Sequence, residues 1–495
     1  DNRRSEYALH NAEFLGSAAA ALDPDFRYPV EELRKAWHIV CLNQFHDILP
    51  GSSIHEVYVE AAEDYREASG LAESALDGAM EALAGRMGGE LLLANPTGFT
   101  VRQPVWVRQD LIPDIQPLLE NGCAAMQSVQ DGVLLDVEPI PPYSVVALDR
   151  VDSSTAELES DLSVSETHME NSLLRLEFMP SGDLVRIYDK ELDREVLAEG
   201  RVGNELQLFE DRPAVPEAWD ISIYYDDRMW LPDPAESVEV QETGPLRAAV
   251  RIQRWFRRST ITQEIRLWSA CRRIDFATEV DWQERRMMLK AAFPVEILSP
   301  KAEYEIQWGS IERPTHRNTS WDFARFEVPA QKWVDLSEGG YGVSLLNDSK
   351  YGHDVHDNVM RLSLLRAPDY PDPEADRGQH RFCYSLLPHP GSRGRETAAQ
   401  AYALNNPVVV HRPEMPGDVR QKKMTIIQVD DPRLIVETIK QAEDGRGLIV
   451  RLYDFTRGRG KAQISCALPV ESAWRTTILE EDQFELERSG SSFSF

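Results

Sequence analysis

The feature that most constrains the fold of this chain is an alternation of apolar and charged residues at a period of two. The clearest run lies between residues 273 and 282. Its apolar members are Ile274, Phe276, Val280 and Trp282, and its charged members are Arg273, Asp275, Glu279 and Asp281. This period predicts a β-strand with one face in a core and the other in water. Similar runs from about residue 168 to 400 predict large, packed antiparallel sheets.

Length and composition restrict the class of protein further. The chain has 495 residues, too many for one core, so three or four domains are expected. With 83 acidic against 53 basic residues, it is a poor match for nucleic acid or an anionic membrane. No apolar run approaches the ~20 residues of a membrane-spanning helix. The five cysteines are far apart and form no CxxC pair, which predicts a reducing, cytoplasmic compartment.

The pattern along the chain predicts an α+β protein that is mostly β. Residues 1–89 are expected to form a three-helix bundle, with helices at 3–22 and 30–49 and a third beginning at Ser53. Ser53 and Glu56 fit the capping box that marks a helix N-terminus. Antiparallel β domains should follow. They are a small domain at 90–155, a large one at 168–400 after a linker at 151–167, and a C-terminal one at 401–495 that could pack with the small domain.

The stretch AWHIVCLNQFHDILPGSS, residues 36–53, carries the strongest chemical signal. Read as a helix it is apolar on nearly all sides, which predicts burial. One polar wedge carries Asn43, His46 and Asp47, and Pro50 with Gly51 should end the helix just beyond them. Two interpretations of His46 remain open from these residues alone. It is either a core histidine satisfied by a backbone carbonyl or a metal ligand.

Four segments together resemble a known enzyme family. They are residues 44–53 (QFHDILPGSS), 208–221, 311–322 and 340–352. These segments resemble glycoside hydrolase family 38, the retaining α-mannosidases, and in particular its cytosolic and bacterial branch. The resemblance implies that His46 binds a divalent metal, usually zinc with cobalt as an alternative, and that Asp47 hydrogen-bonds the sugar. It also implies an α-mannoside glycan or oligosaccharide as substrate, and a supersandwich of the galactose mutarotase-like type over residues 168–400.

The sequence offers no catalytic carboxylate pair. Retaining glycosidases need two carboxyl groups about 5–5.5 Å apart, and none can be nominated in this chain. The resemblance implies that the nucleophile and most metal ligands lie on an α/β domain N-terminal to the helices. We therefore expect this chain to be the C-terminal portion of such an enzyme, inactive by itself, with the catalytic residues upstream.

Several further residues are weaker candidates. Trp219 and Asp220 combine a flat apolar surface with a hydrogen-bond acceptor, which is typical of a sugar site. Arg313, His316 and Asp322 have a similar composition, but a structural role is favoured for them. A rival metal site is conceivable in residues 353–357 (HDVHD), which hold four ligand-type side chains.

Two functions follow from these observations. The leading one is metal-dependent hydrolysis of α-mannosides with retention by a full-length enzyme. The other is a non-catalytic carbohydrate-binding or scaffolding β-sandwich protein. The sequence leaves open the linkage preference, the metal and whether the chain forms a homo-oligomer.

Overall fold

The chain divides into two compact units. The first comprises Asp1–Gln44, Ala62–Leu158 and Asn405–Phe495, and the second comprises Phe45–Ala61 and Glu159–Leu404. The computed structural model describes residues 1–111, 123–148, 160–214, 216–414 and 422–494.

Five α-helices occur in the described residues. They are α1 (Asn2–Leu22), α2 (Val30–Asn43), α3 (His55–Ala84), α4 (Ser320–Phe323) and α5 (Arg395–Asn405). Within the first unit, α1, α2 and α3 share one apolar core, to which each contributes fully or nearly fully buried residues. These residues include Leu9, Ala12, Leu33, Ala36, Val40, Ala68 and Ala72. No described helix is long and apolar enough to cross a membrane.

The predicted second helix is wrong in its extent and in its burial. It ends at Asn43 rather than at Leu49, so His46 and Asp47 lie in a turn segment and not in a last helical turn. The apolar residues that suggested a fully buried helix are largely exposed, at 63% for Leu42 and 52% for Phe45. The helix instead buries a single face toward the first-unit core.

The side chains of Asn43 and Gln44, where α2 ends, donate hydrogen bonds to α1 and α3. The amide of Asn43 donates to Asp64 at 2.9 Å and to the Ile39 carbonyl at 3.0 Å. The amide of Gln44 donates to Asn2 at 3.0 Å and to Glu6 at 2.7 Å. These side-chain contacts hold Asn43 and Gln44 against α1 and α3. The hydrophobic periodicity of the sequence gives no sign of such contacts.

The start of α3 also differs from the prediction. The helix begins at His55, and the hydroxyl of Ser53 donates to the Asp47 carbonyl at 2.6 Å. Ser53 is therefore engaged with the turn segment before the helix and does not act as the predicted cap.

The strands confirm a mostly β chain of antiparallel sheets. In chain order, the first five are β1 (Leu91–Asn95), β2 (Val105–Arg108), β3 (Cys123–Val129), β4 (Gly132–Val137) and β5 (Ser144–Leu148). The next are β6 (Ser163–Val164), β7 (His168–Glu170), β8 (Leu174–Phe178), β9 (Leu184–Asp189), β10 (Arg194–Glu195), β11 (Glu205–Glu210), β12 (Met229–Trp230), β13 (Val238–Thr243), β14 (Arg247–Phe256), β15 (Ser259–Trp268), β16 (Ile274–Trp282), β17 (Met287–Pro294), β18 (Lys301–Ile306), β19 (Gly309–Pro314), β20 (Val328–Pro329), β21 (Trp333–Ser337), β22 (Tyr341–Asn347), β23 (Gly352–His356), β24 (Val359–Arg366) and β25 (Gly378–Pro390). The last are β26 (Val409–His411), β27 (Lys423–Thr425), β28 (Ile427–Val429), β29 (Leu434–Gln441), β30 (Leu448–Asp454), β31 (Gln463–Cys466), β32 (Trp474–Thr476), β33 (Asp482–Glu485), β34 (Glu487–Ser489) and β35 (Ser492–Ser494).

Two large sheets form the body of the second unit. One has the strand order β12-β11-β17-β24-β23-β20 and the other β13-β14-β15-β16-β25-β22-β21-β18-β19. A single apolar cluster contains residues of both sheets, so the two pack face to face. The alternating run between residues 273 and 282 contains β16, and Ile274, Phe276, Val280 and Trp282 are all fully buried in this cluster. The predicted exposure of the charged face is wrong for Arg273 and Asp275, which are buried and form an ion pair at 2.8 Å.

Strands from two predicted domains share one sheet in the first unit. The order β26-β1-β5-β27 places β1 and β5, from the segment predicted as a small β domain, between two strands of the C-terminal segment. Strands β29 and β30 pair antiparallel in a sheet of their own. Of the predicted linker at 151–167, residues 151–159 lie outside the described residues, whereas Ser163–Val164 pair in a sheet with β7. Among the described side chains, the cysteines at 41, 271, 383 and 466 form no disulfide bond.

A buried carboxyl group in the first unit gives a testable pH dependence. Burial raises the pKa of Glu13 to about 7, although its hydrogen bond from the Trp37 indole, at 3.0 Å, acts in the opposite direction. A pKa that is higher in the folded state means that stability is lost as the pH rises through it. Between pH 5 and pH 8, Glu13 should lower the free energy of unfolding of the wild type by up to about 3 kcal/mol. We expect this decrease to be absent in Glu13→Gln.

Urea unfolding of wild type and Glu13→Gln at the two pH values measures this difference. Glu60→Gln, at an exposed position of α3, is the matched control and should follow wild type. The same pH dependence in wild type and Glu13→Gln would show that this carboxyl group is not responsible.

Candidate functional site

The turn segment after α2 presents His46 and Asp47 at the surface of the second unit. The imidazole is 77% exposed and the Asp47 side chain 38% exposed, with 3.5 Å between Nε2 and Oδ2. The structure thus contradicts the interpretation of His46 as a core histidine. The ring of His46 lies 4.2 Å from that of Phe45, measured between centroids.

Local hydrogen bonds hold Asp47 in place. Its Oδ1 accepts from the Ser52 hydroxyl at 3.0 Å, and its carbonyl accepts from Ser53 at 2.6 Å and from the Tyr58 hydroxyl at 3.4 Å. Gly51 has a φ of +91°, a conformation that glycine adopts at little cost and that closes the turn. One carboxylate oxygen is therefore anchored, while the other faces the exposed imidazole.

Trp219 and Asp220 lie on a loop that one arginine pins. Arg366 donates from Nη2 to the Glu217 carbonyl at 2.5 Å and also to the carbonyl of Asp220. Its Nε donates to the buried Asp211 carboxylate at 2.5 Å. Trp219 remains 53% exposed. The backbone of the loop is thus fixed while the indole is free to contact a ligand.

Tyr370 extends this aromatic surface and was not predicted from the sequence. Its ring centroid lies 6.4 Å from that of Trp219, and the ring is 58% exposed. The Ala218 amide donates to the Tyr370 carbonyl at 3.2 Å, and Glu217 accepts from the Asp369 amide at 2.6 Å. In the sequence, Tyr370 precedes Pro371 in a proline-rich stretch, and this pattern does not indicate a contact with Trp219.

The loop at 369–372 connects both parts of the site. It contacts the Trp219 loop through Asp369 and Tyr370, and Asp372 also pairs with His55 at 3.2 Å, at the start of α3. His55 follows the turn segment that carries His46 and Asp47. The loop at 369–372 thus contacts both the Trp219 loop and the first residue of α3, the helix that follows the turn segment of His46 and Asp47.

A buried charge network supports the segments around this site. Lys290 is fully buried, and its Nζ lies 2.8 Å from Asp354 and 3.0 Å from the Tyr225 hydroxyl, and also contacts Glu327. Burial by itself lowers the pKa of Lys290, but Asp354 and Glu327 outweigh it and hold the pKa above its ordinary value. Arg361 donates to Asp354 at 2.7 Å. The network ties the 3₁₀-helix Ile223–Asp227 and the residues before β20 to the six-stranded sheet.

The weaker candidates have structural partners. Asp322 forms a capping box with Thr319 at the start of α4. The rival metal residues do not converge, because His353 is buried against the Tyr351 carbonyl while Asp354 belongs to the charge network. The described residues contain no group of three ligand-type side chains that could hold a metal. His46 and Asp47 alone fall short of the three or four ligands of a zinc site.

Three family models match the chain in order. They are the alpha mannosidase middle domain at residues 1–83, the glycosyl hydrolases family 38 C-terminal domain at 169–374, and the glycosyl hydrolases family 38 C-terminal beta sandwich domain at 433–495. The chain belongs to glycoside hydrolase family 38. His46 and Asp47 fall within the first match of this family, and Trp219, Arg366 and Tyr370 within the second.

Similar proteins place the chain within family 38. It is 37% identical to alpha-mannosidase 2C1 of Homo sapiens over 97% of its own length, which is 45% of that protein. It is 31% identical to alpha-mannosidase G of Dictyostelium discoideum, of which it covers 49%. The chain thus spans about half the length of these curated relatives. A crystal structure of an alpha-mannosidase from Enterococcus faecalis V583 has the same fold, with a TM-score of 0.81 at 16% identity over 99% of this chain and 66% of that one.

Arg366 can be tested as the residue that positions the Trp219 loop. Arg366→Gln removes the donors to two loop carbonyls and leaves the Asp211 carboxylate unpaired. We expect the amides of residues 216–222 to exchange with deuterium about tenfold faster or more, because the loop opens more often. Hydrogen exchange read by mass spectrometry measures this rate. Arg212→Gln, a neighbouring exposed arginine, is the control, and equal exchange in both variants would remove the positioning role from Arg366.

Proposed function

We propose that this chain forms part of an α-mannoside hydrolase, supplying one metal ligand and part of the sugar site, with the rest of the active site built from polypeptide beyond these 495 residues. The observation that carries the proposal is the similarity to two proteins named alpha-mannosidases over 97% and 100% of the chain. The reaction would be hydrolysis with retention, for which two carboxyl groups about 5–5.5 Å apart are needed. The nucleophile would lie outside this chain.

In this proposal, His46 supplies one ligand to a divalent metal, zinc or cobalt. An exposed imidazole next to a carboxylate is a suitable donor set for either ion. The remaining ligands would come from outside the described residues, since these contain no group of three. When bound, the metal would act as a Lewis acid on sugar hydroxyls. The chain's own part is to hold the imidazole at the surface, oriented beside Asp47.

The sugar itself would contact Asp47, Trp219 and Asp220. The anchored Asp47 carboxylate offers a charged acceptor for a hydroxyl, and such charge-assisted hydrogen bonds are the stronger ones. Trp219, with Tyr370 beside it, offers the flat apolar surface against which the C–H face of a pyranose packs. Asp220 adds a second acceptor at the edge of this surface.

The chain alone should not hydrolyse an aryl α-mannoside at a measurable rate. The reason is that the proposed nucleophile and most proposed metal ligands are absent from it. Release of the aryl group by the purified 495-residue chain measures this. Turnover that survives treatment with a chelator would contradict both the expectation and the proposed position of the active site.

Within a longer polypeptide that contains this chain, His46 and Asp47 should have separable roles. His46→Ala should lower bound metal and activity together, by at least about tenfold, because one of about four ligands is lost. Asp47→Asn should keep the metal and lose substrate affinity or turnover, because only the charge of the acceptor is removed.

Metal analysis and kinetics on both variants measure this difference. His356→Ala is the matched control, since His356 is an exposed histidine of the rival metal segment. If His46→Ala keeps stoichiometric metal and normal turnover while His356→Ala loses them, the metal site lies at the rival segment.

One observation also favours carbohydrate binding by the chain alone. The Trp219 and Tyr370 rings are both more than half exposed beside Asp220, although large aromatic side chains usually bury their surface. A scaffold that binds mannosides without chemistry would show the same surface. Titration of the wild-type chain and of Trp219→Ala with a mannoside tests this binding. A lower affinity in Trp219→Ala would show that Trp219 contacts the sugar.

A further inference from the structure

One small pocket of the second unit is lined by several arginines, although the chain as a whole is strongly acidic. Its lining includes Tyr304, Arg313, His316, Arg317, Asp322 and Arg325, and we refer to it as the arginine pocket. The chain as a whole has a net charge of −30. We propose that the arginine pocket binds a phosphate group, either free or carried by a phosphorylated sugar. This inference does not depend on the function proposed above.

The guanidinium of Arg313 lacks an anionic partner among the described residues. It stacks on Tyr304 with 4.6 Å between Cζ and the ring centroid, and its Nη1 is buried without a hydrogen-bond acceptor in that part of the chain. A buried donor without an acceptor destabilises the fold. Burial lowers the pKa of Arg313, and the nearby charge of Arg325 lowers it further. An acceptor with negative charge would relieve both penalties.

The other arginines of the pocket are also without carboxylate partners in the part of the chain that the structure describes. Neither Arg317 nor Arg325 forms an ion pair there. Arg361, by contrast, has two carboxylate partners. It pairs with Asp354, which lines the same pocket, at 2.7 Å and with Asp226 at 3.0 Å. The unpaired arginines of this pocket are therefore not explained by a general lack of carboxylates.

The two carboxylates that face the pocket are already engaged. Asp322 accepts from the backbone and the hydroxyl of Thr319, and lies 3.5 Å from His316. Asp354 accepts from Lys290 and Arg361. Because Lys290 and Arg361 balance the charge of Asp354, three arginines stand against the single charge of Asp322. This excess of about two positive charges matches a phosphate dianion.

The arginine pocket is small. Its space for water-sized groups is about 20 Å³, which admits one oxygen atom of a ligand and no whole pyranose ring. The positive charge of the lining then favours an oxyanion over a neutral hydroxyl. An oxyanion can insert one oxygen and keep the others at the mouth, where guanidinium forks donate in pairs. Arg313 lies near the end of β19, Arg317 lies just beyond this strand and Arg325 lies just beyond α4, and all three line the pocket.

Calorimetric titration of the full chain with inorganic phosphate at constant ionic strength tests the proposal. We expect saturable binding with one site per chain. A hexose phosphate and the same hexose without phosphate form the second arm. Binding of the hexose phosphate and not of the hexose supports the proposal, and the tighter of the two phosphate ligands identifies the source. The proposal is overturned if neither inorganic phosphate nor the hexose phosphate shows saturable binding.

Two variants locate the binding. Arg313→Gln and Arg325→Gln should each weaken phosphate binding about tenfold or more, because each removes a charged donor. Arg325 is exposed, so this variant should fold even if the more buried Arg313→Gln does not, and circular dichroism checks both. Arg381→Gln, an exposed arginine of β25 paired with Glu279, is the matched control. Equal affinity in Arg325→Gln and wild type would overturn the assignment to this pocket.

Discussion

The buried ion network around Lys290 is the interaction on which the functional surface depends. A buried ammonium group is costly to desolvate, and it is tolerated because Asp354, Glu327 and the Tyr225 hydroxyl surround it. The apolar core supplies cohesion between the two large sheets, but it cannot specify how irregular segments lie on the outer face of one of them. The network does so, because removing the Lys290 ammonium would leave Asp354 and Glu327 without this buried partner, and breaking a buried ion pair costs about 3–5 kcal/mol.

The same principle recurs closer to the candidate site. Arg366 donates hydrogen bonds to two backbone carbonyls of the Trp219 loop, and the Asp211 carboxylate balances its charge. Glu217 of this loop pairs with Arg286 at 2.7 Å, which ties it to the start of the strand that also carries Lys290. Charged residues thus build a rigid backbone under exposed aromatic rings. That arrangement leaves Trp219 and Tyr370 free for a ligand without the entropic cost of ordering a flexible loop.

The proposed completion of the active site from outside this chain would account for the exposure of His46 and its neighbours. His46 is 77% exposed and has Asp47 as its ligand-type neighbour among the described residues, an unusual state for a residue on a segment with so much apolar sequence. The exposed Phe45 and Leu49 on the same turn segment fit this view. Family 38 relatives about twice as long as this chain have the additional length that such a site would need.

The sequence by itself determined the β character of the chain, the strand of Ile274 to Trp282 and the segments that identify the family. Alternation at a period of two is a local property, so it reports the apolar face of each strand, whereas the burial of Arg273 and Asp275 on the opposite face depends on the tertiary structure. The hydrogen bonds at the end of α2 were decided by the tertiary structure, because Asn43 and Gln44 bond to side chains 21 to 42 residues away. The same holds for Tyr370, Arg366 and the arginine pocket. Their partners come from distant strands and loops, and no local pattern records which charged side chains meet in the fold and which are left unpaired.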